Sequence, residues 1–154
     1  FGFWTRDNRY EAVGSPEQRT SYTSMDDVAK SLAILASSPP ATIPDEVHLS
    51  GDSKSFLEIA KMMQDNGAGH IDMSSVPLDE YKARVLSKPS PTPERYLRFL
   101  MAEGKIDHSV QGLGNQNNLV SGAGRVAAFR SLEDLAKETG GKPWAEADWK
   151  HLDN

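Results

Sequence analysis

Hydrophobic and polar positions along the chain alternate at two different periods, and each period predicts elements. Val28, Leu32 and Leu35 recur at helical spacing, flanked by Ala29, Ala33 and Ala36. Thr23 or Ser24 can cap this helix, and Asp26 and Asp27 suit the positive end of its dipole. Ser37, Ser38, Pro39 and Pro40 stop it, since proline cannot continue the hydrogen-bond ladder. Phe56, Ile59, Ala60 and Met63 mark a second helix with a core-facing stripe. Ser55 and Glu58 form its capping box, and Asn66 and Gly67 close it. Leu78, Tyr81 and Val85 predict a third helix opened by Pro77. Between Lys88 and Pro93 lies a proline-rich hinge, in which Thr92 and Pro93 start a fourth helix. That helix buries Tyr96, Phe99 and Leu100 and ends at Gly104. Ser131 opens a last helix over Leu132, Leu135 and Ala136, which Gly140 and Gly141 stop.

The strand signals are shorter. Residues 46–50 and 71–76 read as two strands, and 1–22 as loop and short strand with a turn at Gly14, Ser15 and Pro16. Residues 105–124 are rich in glycine and asparagine and read as a shaped loop, either a plain connection or one that orders over a ligand. Trp144 and Trp149 sit in a tail expected to pack back on the body. No internal repeat or domain boundary interrupts residues 1–154.

Composition narrows the classes. The 154 residues are 38% hydrophobic and 25% charged, and they contain no cysteine. Thiolate–zinc sites, disulfides and cysteine nucleophiles are therefore excluded, and the count fits a reducing, cytoplasmic setting. The net charge of −5 argues against nucleic acid and acidic membrane surfaces as partners. No apolar run approaches the roughly 18 residues a membrane helix needs. The start at Phe1 has neither an initiator methionine nor a signal-peptide pattern, as expected of a fragment, a processed product or the ordered part of something longer.

Few residues point to chemistry by themselves. Histidines stand at 48, 70, 108 and 151, none four apart on a helix, so no metal role is expected. His108, beside Asp107 in the glycine-rich loop, is the one placed to face a ligand. Phe1, Phe3 and Trp4 either line an apolar pocket or pack in the core. Gly122, Gly124 and Ala127 fit G-x-G-x-x-A. The dinucleotide mechanism also needs a strand before the motif and another after its helix, so the match reads as a chance product of the loop. Asp26 and Asp27 form a carboxylate pair whose place in a helix's first turn is a sufficient structural job.

The order of the pieces resembles a known family. Residues 20–29, Thr20-Ser-Tyr-Thr-Ser-Met-Asp-Asp-Val-Ala29, resemble the T-x-x-D-[IV]-A segment of the NmrA-like and isoflavone-reductase-like proteins, which are atypical short-chain dehydrogenases. A strand ending in G-D and then S-F-x-E-[LIV] follow in that family, matched by Gly51, Asp52, Ser55, Phe56, Glu58 and Ile59. Gly104 and Asp107 are similar to its x-G-x-x-D, and Asn117 to an asparagine that often follows. The segment from Ser131 through Gly140 to Trp144 is similar to the end of fungal members, and Phe1, Gly2, Phe3 and Gly14 to a stretch before the first segment.

The resemblance covers nearly the whole chain but only the C-terminal half of the family. It implies an α/β fold: the C-terminal part of a doubly wound Rossmann-like domain plus a helical substrate lobe. It implies a substrate-binding surface that includes Phe1, Phe3, Trp4, His108, Asn115 and Asn117. The family's glycine-rich NADP turn and the reductases' catalytic lysine lie in the other half. The chain alone is therefore expected to carry no catalytic residue and to bind no NADP. Its expected partners are a small-molecule substrate and either the missing N-terminal half or a second copy of the chain. A non-catalytic NAD(P)-sensing regulator and a truncated product with another role are the alternative expectations.

Overall fold

A computed structural model describes residues 1–88, 93–122, 126 and 128–146. These form a mixed α/β structure with five strands and five α-helices. The strands are β1 (Phe3–Trp4), β2 (Arg9–Val13), β3 (Arg19–Tyr22), β4 (Asp52–Ser55) and β5 (Asp72–Val76). The helices are α1 (Met25–Ala36), α2 (Phe56–Met63), α3 (Leu78–Ser87), α4 (Glu94–Ala102) and α5 (Leu132–Thr139). One sheet runs β1-β2-β5, with β1 antiparallel and β5 parallel to β2; β3 and β4 form a separate antiparallel pair.

Central strand β2 organises the body through its two-residue period. Tyr10 and Ala12 point to one face and enter the main core with Phe56, Ile59 and Met63 of α2, Met101 of α4 and Ala136 of α5. Arg9, Glu11 and Val13 point to the other face, where Val13 packs with Tyr81 and Val85 of α3. The register Phe3↔Tyr10 and Trp4↔Arg9 extends this split to β1. Phe3 stacks on Phe56 at 4.4 Å on the core side, while Trp4 shares the opposite face with Arg9.

Local signals fix the helix starts. Ser24 caps α1 by accepting the Asp27 amide, and reciprocal capping boxes join Ser55 to Glu58 and Ser131 to Asp134. After α2 the chain passes through a π-type turn, Gln64–Ala68, with Gly67 at a φ of 108°. Gly141, at a φ of 76°, lies so close to the Met63 carbonyl that no Cβ fits there.

Several sequence expectations are corrected. Residues 46–50 are not a strand; the strand lies further on, at β4, paired with β3. Amide side chains satisfy the backbone of 46–50 instead: Gln116 accepts the His48 amide at 2.7 Å, and Asn117 brackets both backbone groups of Ser50. Residues 1–22 hold three strands rather than loop and a short strand. In α1 the buried positions are Asp27 and Ser31, while Leu32 is 61% exposed. Asp27 accepts the Arg130 amide at 2.7 Å, which turns the Asp27–Ser31 side inward and Leu32, about 100° round the helix, outward. In α4 the buried residues are Arg98 and Met101, with Tyr96, Phe99 and Leu100 half-buried. The tail does pack back, through its backbone: Thr5 donates to the Pro143 carbonyl, and Arg6 to those of Ala145 and Glu146. Most of the proline hinge, with Thr92, lies outside the described residues, as do Ala123, Gly124, Arg125 and Ala127 of the glycine motif, Trp149 and His151.

Candidate functional site

The face of β2 that carries Arg9 and Glu11 forms the floor of an open groove of about 870 Å³. Strand β1 and Trp144 lie along one side, and α3 with the start of α4 forms the other. The volume falls within the roughly 300–1,000 Å³ of small-molecule sites.

Three cation–π contacts and one edge-to-face ring pair shape it. The Arg9 guanidinium lies 4.2 Å over the Trp4 ring. Across the groove, Tyr81 has Arg84 at 5.2 Å and Arg98 at 4.7 Å from its ring centre. Phe99 and Tyr81 pack edge to face, 5.8 Å between centroids. Arg98 is only 8% exposed and is fixed to the floor, donating to the Glu11 carbonyl at 2.8 Å and its carboxylate at 3.0 Å. Burial pushes the Tyr10 phenol, beneath the floor, up to about 12, so it stays protonated at neutral pH.

The sequence-derived candidates divide between two places. Phe1, Phe3 and Trp4 all line the groove. His108, Asn115 and Asn117 do not; they lie in the loop beside residues 46–50. There the His108 ring stacks on His48 at 4.4 Å and its Nδ1 meets the Gly114 carbonyl at 3.2 Å. Asn115 donates to the His108 carbonyl at 2.8 Å and accepts the Asn117 amide. Asn117 spends both ends of its side chain on Ser50. These side chains thus hold one loop against another.

Sequence reasoning missed Arg9, Tyr81, Arg84 and Lys88 as groove residues. The signal was present: Tyr81, Arg84, Val85 and Lys88 follow the helical i, i+3, i+4, i+7 pattern, and Arg9, Glu11 and Val13 alternate along a strand. The apolar members of the first set were read as core, and the cations between them went unread.

A dinucleotide pyrophosphate needs a helix N-terminus with free amides behind a strand–turn. The chain's described residues do not fit that group. Each of the five α-helices carries an acidic side chain in its first turn: Asp26 and Asp27, Glu58, Asp79 and Glu80, Glu94, and Glu133 with Asp134. Before Gly122 the chain forms a 3-10 turn, Asn117–Leu119, and no strand. Among the described residues no group of three or more histidine or acidic side chains is placed to hold a metal ion, and no helix is long and apolar enough to cross a membrane.

No protein-family model matches the chain, and no curated protein matches it significantly.

Proposed function

We propose that the chain is the substrate-binding portion of an NAD(P)-dependent oxidoreductase of the NmrA-like or isoflavone-reductase-like type. In this reading it is the C-terminal part of a doubly wound Rossmann-like domain, with α3 and α4 as its helical substrate lobe. The observation that carries it is the groove: a concavity of substrate size with Phe1, Phe3, Trp4, Tyr81 and Trp144 along it. NADP would sit on the N-terminal half that this reading requires, because the residues here do not fit its pyrophosphate; that half or a second copy is the expected polypeptide partner. This chain's own residues bind and orient. The Phe1, Trp4 and Trp144 rings exclude water from a flat substrate, and the Glu11–Arg98 pair holds the floor rigid.

The reading frame upstream of the Phe1 codon tests this directly. It should continue into a segment with a glycine-rich G-x-x-G-x-x-G turn and a lysine, and the joined protein should oxidise NADPH in the presence of substrate. A stop codon just upstream, or a joined protein that leaves NADPH untouched while binding it, would sink the reductase reading.

A further inference from the structure

The charge of the groove runs opposite to that of the molecule. Acidic residues outnumber basic ones 22 to 17 over the chain, yet five cationic residues and two acidic ones line the groove. One acid, Glu11, is already paired with Arg98 at 3.0 Å. Arg9, Arg84 and Lys88 meet no carboxylate among the described residues. In an acidic protein, three unpaired cations on one concave surface leave a local field that favours an anion.

The two arginines are also preset for that anion. Each guanidinium lies over a ring, Arg9 4.2 Å from the Trp4 ring centre and Arg84 5.2 Å from that of Tyr81. A cation–π contact holds the guanidinium without a conventional acceptor and leaves its N–H fork for another group. That fork matches a carboxylate with two parallel hydrogen bonds. Holding the guanidinium against a ring also removes part of the side-chain entropy that a free surface arginine loses on binding. Aromatic side chains around these forks give a flat apolar body somewhere to lie.

We propose that the groove binds an aromatic carboxylate, its ring against the Trp4 side chain and its oxyanion on Arg9 and Arg84. As a statement about substrate class this rests on the reductase reading; as a binding site it stands on the groove alone. Lys88 adds a third positive charge at the rim. The Glu11–Arg98 pair serves the floor and takes no part in the anion contact.

Calorimetric titration of the chain separates the two ideas, because it reads binding without NADPH or turnover. The probes are naphthalene-2-carboxylate and its neutral isostere naphthalene-2-carboxamide, at low salt and neutral pH. The carboxylate should bind about tenfold more tightly than the amide, the scale of one charge-assisted pair. Arg9→Gln and Arg84→Gln should each weaken the carboxylate several-fold and change the amide by less than about twofold. Both arginines are exposed, so circular dichroism should show the variants folded like the parent. Equal binding of the two probes, no binding of either at millimolar concentration, or a folded double variant that keeps the parent's carboxylate affinity would each overturn the proposal. An upstream frame without a dinucleotide-binding half would remove the reductase reading and leave this result standing.

Discussion

Asp52 shows how much one side chain can join. Its carboxylate accepts the Ser53 amide at 2.8 Å, the Lys54 ammonium at 2.9 Å and the Leu132 amide at 3.1 Å, so it ties β4 to the first residue of α5. Burial pushes its carboxyl up, but the Lys54 hydrogen bond, the Leu132 amide and the Lys54 charge outweigh burial and hold it below its ordinary value of 3.8. A carboxyl depressed on folding stabilises the protein above its unfolded value and loses that contribution as pH falls through the folded one. Asp52→Asn should therefore cost about 1 kcal/mol at pH 7 and progressively less below about pH 3.8. Urea unfolding at pH 7 and pH 3 checks this; an equal loss at both would show that charge is not involved. Arg98 is a harder case, since its removal strands Glu11 on a partly buried floor. Arg98→Met should cost about 2–4 kcal/mol, and adding Glu11→Gln should recover part of it. An additive double variant in the same unfolding assay would refute the coupling. At this scale the sequence was legible wherever the cause is local: Ser24, Ser55 and Ser131 cap as their spacing predicts. It was not legible at Ser31 and Leu32, where a distant contact, the Arg130 amide on Asp27, decides which side of α1 faces inward.

Elements follow the same rule. The predicted helices appear where a cap or a repeating apolar stripe marks them, and β5 where apolar and polar positions alternate. The start of the chain was read too loosely: Tyr10 and Ala12 do alternate with Arg9 and Glu11, but the charged residues beside them masked a central strand. Residues 46–50 erred the other way, since their composition suits a strand while their partner is a loop. Asn117 stands in for a neighbouring strand there, donating to the Ser50 carbonyl at 2.7 Å and accepting its amide at 3.0 Å. No local period encodes an asparagine 67 residues away doing a strand's work. Asn117→Ala should leave both backbone groups of Ser50 without those partners and cost about 1–3 kcal/mol. Amide exchange at Ser50 should rise with it, while α2, held by its own capping box, stays protected. Unchanged exchange at Ser50 would mean that the asparagine contributes no anchoring. Of the candidate site, the aromatic half was visible at the start of the chain, whereas the arginine half required knowing that β1, β2 and α3 meet on one face.

At the scale of the whole molecule, the far edge of β5 is where the reading of the chain as part of a larger protein is decided. The parallel strand β5 pairs with β2 and, among the described residues, with nothing on its far edge. Asp72 donates to the Asn8 carbonyl and Gly14 to that of Val76, so alternate β5 amides, those of Asp72, Ser74 and Val76, face β2. By the same alternation the Met73 and Ser75 amides face away, toward the open edge. Parallel sheets are ordinarily covered, and an unpaired edge is a template for another strand. In the isolated chain at low concentration, the Met73 and Ser75 amides should therefore exchange rapidly while Ser74 is protected. When the proposed N-terminal half is supplied, or when concentration drives two copies together, both should slow to match Ser74. The acidic helix starts add a condition: NADPH should not bring about that slowing by itself, because among the described residues every helix start already carries a carboxylate where its pyrophosphate would sit. Amide-resolved hydrogen exchange, run alone, with NADPH and over a hundredfold range of concentration beside sedimentation, reads all three. A 16.9 kDa monomer whose Met73 and Ser75 amides are already protected would show that the edge is closed from within the chain, and the larger-protein reading would fall with it.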